Sequence, residues 1–74
     1  MTASQLISEL KTVFVNDRFQ FDFKVSMYVA GDRNKELRKQ MIKELTGENV
    51  PASKSGMYAV ADALTAKFQQ YELL

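Results

Sequence analysis

The sequence has no cysteine, no histidine and no tryptophan, and its 74 residues include one proline and three glycines. Without cysteine there is no disulfide to brace the fold and no thiolate to hold zinc. Without histidine the commonest general base and the commonest metal ligand are both missing, so no metal and no cofactor is expected. Catalysis would rest on Asp, Glu, Lys, Ser or Tyr alone. Gly31, Gly47 and Gly56 are too scattered for a phosphate-cradling loop, and no acidic cluster has ligand spacing. The expectation is a protein that is not an enzyme. No apolar run approaches the roughly 20 residues of a membrane span, and Met1–Ser8 lacks the charged start and apolar stretch of a signal peptide. A soluble, cytoplasmic protein without membrane contact is expected. Ten basic and nine acidic residues leave a net charge of +1, which neither demands nor excludes a polyanionic partner. A chain this short buries only about 60–65% of its unfolded surface, so the missing staples favour oligomerisation.

What is present is organised around Phe19–Val29. Phe19, Phe21, Phe23, Val25, Met27 and Val29 occupy every second position, with Gln20, Asp22, Lys24, Ser26 and Tyr28 between them. A period of two predicts a strand with one wet face, and Phe, Val and Tyr suit a pleated, half-buried surface. The strand has no convincing partner within the chain, so its unpaired N–H and C=O groups call for a second copy or for a sheet edge elsewhere.

Around it the pattern is helical. Leu6, Ile7, Leu10, Val13 and Phe14 share one face of a helix over Thr2–Phe14, capped by Thr2 or Ser4 and frayed by the β-branched run at Thr12–Val15. Asn16-Asp17-Arg18 reads as a turn, and an alternative makes Thr12–Val15 a short strand hairpinned to the long one. Beyond the strand, Asp32 is a good N-cap for a helix over Arg33–Thr46 that carries Leu37, Met41 and Leu45 inward and ends at Gly47. Pro51 breaks the chain. Ser53 or Ser55 then caps a last helix to about Tyr71, whose core line is Met57, Val60, Ala61, Leu64 and Phe68. Met27, Met41 and Met57 are assigned to the core. The fold class is therefore mostly α with one strand, an α+β chain. An N-terminal helix and turn occupy 1–18, and a dimerising domain occupies 19–74.

The run Lys24-Val25-Ser26-Met27-Tyr28-Val29, the helix closing at Gly47, and Ser53-Lys54-Ser55-Gly56-Met57-Tyr58-Ala59-Val60-Ala61 follow one another in a distinctive order. Over about residues 23 to 70 this order resembles the ribbon-helix-helix family of small dimeric DNA-binding repressors. The resemblance implies an intertwined homodimer, here with an extra N-terminal helix, whose two-stranded ribbon enters the major groove of double-stranded DNA. It implies that Lys24, Ser26 and Tyr28 contact bases, while Ser53, Lys54 and Ser55 hold a phosphate at the start of the last helix. The protein would then be a transcriptional repressor; its N-terminal helix has no counterpart in the minimal family fold and could cover the dimer, bind a protein partner or extend the oligomer. The alternative is a small protein–protein interaction or inhibitor module, of the viral or plasmid-borne kind that modulates a host protein, which does not bind DNA.

Overall fold

The computed structural model describes residues 2–72, and every regular element among them is helical. Four α-helices follow in order: α1 Ala3–Asn16, α2 Arg18–Val29, α3 Lys35–Thr46 and α4 Met57–Glu72. Short 3-10 turns at Asp32–Asn34 and Ala52–Lys54 precede α3 and α4. The α+β expectation is overturned, and with it the ribbon-helix-helix resemblance: no strand exists among the described residues to build a ribbon.

The error has a definite physical source. Residues four apart on a helix lie on one side, and residues two apart stand about 200° from each other. Two such stripes offset by two residues reproduce strict alternation. In α2 the stripe Phe21, Val25, Val29 is buried in the core, and the stripe Phe19, Phe23, Met27 is exposed on the opposite side. A period of two is thus also the pattern of a helix with two apolar faces. Asp17 decides between the readings: its carboxylate accepts from Phe19 N–H at 3.0 Å and Gln20 N–H at 3.3 Å. Those are orphan donors of a helix start, so the residue assigned to a turn is an N-cap.

α1 is longer than its sequence suggested. It runs through the β-branched stretch to Asn16, so Thr12–Val15 neither frays nor forms a strand, and Thr12 Oγ1 donates to Ser8 C=O within the helix. Its start carries a reciprocal cap, with Gln5 N–H donating to Thr2 Oγ1 and Thr2 N–H donating to Gln5 Oε1. Asp17 is the C-cap of α1 as well as the N-cap of α2, so a single residue joins the two helices. The chain turns again at Gly31 (φ 92°), and α3 ends at Gly47 (φ 79°), the left-handed C-cap that its sequence predicted.

One apolar cluster draws on all four helices: Leu6, Leu10 and Phe14 of α1; Phe21, Val25 and Val29 of α2; Met41 and Ile42 of α3; Val60, Leu64 and Phe68 of α4. Phe14, Phe21 and Phe68 meet with ring centroids 5.1–6.1 Å apart, two of the three pairs edge-to-face. Arg18 covers this end, its guanidinium carbon 3.5 Å from the centre of the Phe14 ring. The last helix keeps the expected inward line of Val60, Leu64 and Phe68, with Met57 and Ala61 half-buried beside it.

Opposite the aromatic cluster's chemistry, the fold is tied by a charge. Arg38 of α3 is buried, and its Nε donates to Ser55 C=O at 2.7 Å while Nη1 donates to Val29 C=O at 2.7 Å and to Gly31 C=O. Val29 is the last residue of α2, whose carbonyl has no intrahelical partner. A cation there also meets the negative end of the helix dipole. One side chain therefore joins the end of α2, the turn at Gly31 and the segment that leads into α4.

Candidate docking surface

Once Phe21, Val25 and Val29 have filled the core side of α2, its other apolar stripe has no folding role. Phe19 is 80% exposed, Phe23 58% and Met27 55%. Met27, assigned to the core from the sequence, lies on this outer face. Single exposed apolar residues are ordinary; three large ones in successive turns of one helix form a patch. Beside the patch runs a groove between α2 and the start of α4, about 300 Å³ in volume and lined by Asp22, Val25, Ser26, Met57, Tyr58 and Ala61. Tyr58, 78% exposed, stands on the α4 side of that groove. Aromatic residues with a free face are the side chains most often found at the centre of protein interfaces.

The residues expected to read DNA bases are brought to this helix but not to one face of it. Lys24 and Tyr28 are four apart and half-buried on one flank of α2, whereas Ser26 is exposed and lines the groove on the other flank. The ribbon that would have aligned them is not formed. The expected phosphate site is also rearranged. Ser53 and Lys54 are exposed in the 3-10 turn, but Ser55 is fully buried, its hydroxyl donating to Ala52 C=O and its carbonyl accepting from Arg38. The N–H groups of Lys54 and Ser55 already donate to Pro51 and Ala52 carbonyls, at 2.9 and 3.2 Å. Of this trio, only Ser53 and Lys54 offer side chains to solvent.

Two other surface features stand apart from the patch. Lys35, Lys39 and Lys43 recur every fourth residue along α3 and make a basic stripe. A cleft of about 310 Å³ between the start of α1 and α3 is lined by Thr2, Ala3, Ser4, Gln40, Lys43 and Glu44, and Ser4 Oγ donates to Glu44 across it at 2.6 Å. No group of three acidic side chains able to hold a metal ion occurs among the described residues, and no helix there is long and apolar enough to cross a membrane.

No protein-family model matches the chain, and neither a curated protein nor a solved structure matches it. Sequence reasoning missed the patch because it assigned Phe19, Phe23 and Met27 to the buried side of a strand. The signals that could have found them were Asp17 as a helix cap and the absence of any strand to pair with.

Proposed function

We propose that the protein is a small helical interaction module that docks another protein surface on the outer face of α2 and carries out no chemistry of its own. The observation that supports this most is the second stripe of α2. Phe19, Phe23 and Met27 stay in water although the core beneath them is complete. Leaving large apolar side chains exposed brings no folding benefit, and burial against a partner recovers about 25 cal/mol for each Å² removed from water. The groove beside the stripe and Tyr58 across it supply the concave edge and the aromatic anchor that helix-in-groove recognition uses.

The test places a photo-crosslinking phenylalanine analogue at position 23 and, as a control, at Thr12 on the exposed side of α1. Light-dependent adducts from position 23 and none from position 12 are expected. A folded protein with no adduct from position 23, alone at high concentration or in its native cells, removes the docking reading.

A second reading is contact with nucleic acid, favoured by the stripe Lys35, Lys39, Lys43 rather than by the residues first assigned to bases. Binding of this kind weakens steeply with salt, with a log–log slope of about −0.9 per phosphate neutralised. Titration of duplex DNA at two salt concentrations separates the two readings, since docking on α2 needs no duplex.

A further inference from the structure

We propose that the occupant of the α2 outer face is the same face of a second copy of this chain, the two α2 helices running in the same general direction about a two-fold axis. This inference rests on the docking reading above and names its partner.

The shape of the stripe favours self-pairing. Phe19, Phe23 and Met27 form one continuous ridge of residues four apart. Two ridges of this type interlock in the commonest class of helix packing, with axes crossing at about −50°. A two-fold interface requires a surface that complements itself, and a ridge with its adjoining grooves does so.

Charge sets the relative direction of the two helices. Asp22 and Lys24 lie on opposite flanks of the stripe, each about 100° round the helix from its middle residue, Phe23. A two-fold axis along the pair sets the Asp22 flank of one copy against the Lys24 flank of the other, and symmetry makes that contact twice. Helices running in opposite directions would instead set Asp22 against Asp22 and Lys24 against Lys24. Both charged residues sit within one position of Phe23, where crossing helices are closest, so the pairing survives the crossing angle. The net charge of +1 adds almost no repulsion between copies.

The exposed area sets the strength of the pairing. With roughly 200 Å² for a large side chain in full exposure, the three stripe residues present roughly 400 Å² per copy at their observed exposures. Pairing hides roughly 800 Å² from these residues alone, and flanking Gln20 and Ser26 carry the total toward the ~1,200 Å² at which specific interfaces begin. An interface at this lower limit belongs to the weak, reversible class.

Analytical ultracentrifugation from about 5 to about 500 μM reads weak association of this kind directly. The wild-type chain should rise from the mass of one chain toward twice that mass, and the position-23 photo-adduct should be a dimer of the chain. Phe23→Glu should stay monomeric with its helical circular dichroism intact, since the side chain is exposed and unfolding is not expected. Asp22→Lys and Lys24→Asp should each weaken association roughly 3–10-fold, and the double reversal should restore it. A wild-type chain that remains monomeric to the highest concentration overturns the proposal. If position 23 then crosslinks to a different protein, the docking reading stands and only the identity of the partner falls; if it crosslinks to nothing, both fall. A dimer that Phe23→Glu abolishes but the double reversal leaves weakened overturns the parallel arrangement.

Discussion

Replacing Arg38 tests whether one buried cation holds three parts of the chain together. In Arg38→Ala the carbonyls of Val29 and Ser55 lose their donor inside the protein, while Gly31 C=O lies nearer the surface and can take up water. A buried acceptor left without a partner costs about 1–3 kcal/mol. Two of them, with the lost packing of the arginine stem, place the change at about 2–6 kcal/mol. A chain of this length has about 4–11 kcal/mol of total stability, so the variant should be marginal. Arg38→Lys keeps the charge, but a compact ammonium cannot span the acceptors that Nε and Nη1 reach separately. It should lose about 1–3 kcal/mol. Urea denaturation followed by far-ultraviolet circular dichroism measures both, and the midpoint should fall at unchanged slope. An Arg38→Ala protein within about 0.5 kcal/mol of the wild type would show that these carbonyls are not held by the arginine.

The remaining predictions concern the core and the helix ends. Leu64→Ala removes a fully buried side chain and should cost about 2–5 kcal/mol in the same denaturation experiment. Asp17→Ala takes away the acceptor for Phe19 and Gln20 N–H at the start of α2 and should cost about 0.5–2 kcal/mol, whereas Asp17→Asn should recover most of it. Gly47→Ala forces a Cβ into the left-handed region at φ 79° and should cost about 1 kcal/mol, although open space surrounds the position.

Three of the four helices were legible because their apolar residues keep to one side. Leu6, Leu10 and Phe14, then Leu37, Met41 and Leu45, then Val60, Leu64 and Phe68 each mark a single stripe, and such a stripe admits only the helical period. Gly47 announced the end of α3 for a reason the structure repeats, the need for a positive φ. α2 was illegible by the same criterion. Its two stripes are offset by two residues, so an average over the helix shows no preferred side and the alternation of a strand is reproduced in full. The exposed patch was misread with it, because an alternating pattern makes Phe19, Phe21 and Phe23 equivalent. The cap on Asp17 is local, its partners lying two and three residues on, and was hidden only by the strand pattern that follows it, whereas the burial of Arg38 depends on neighbours far away in the sequence. Arg38 reaches Ser55 across 17 positions and resembles a solvated helix charge until the fold is known.

The central claim is that α2 is a helix with two opposite apolar faces, and the pair Phe21→Ala and Phe23→Ala tests it most directly. On a strand with one wet face these residues point the same way, and the two truncations would be equivalent. On the helix Phe21 is buried against Phe14 and Phe68, while Phe23 looks outward. Measured in dilute solution, below any self-association, Phe21→Ala should cost about 3–5 kcal/mol and Phe23→Ala should stay within about 0.5 kcal/mol of the wild type. Equal losses at the two positions would contradict the account and return Phe19–Val29 to a single-faced element.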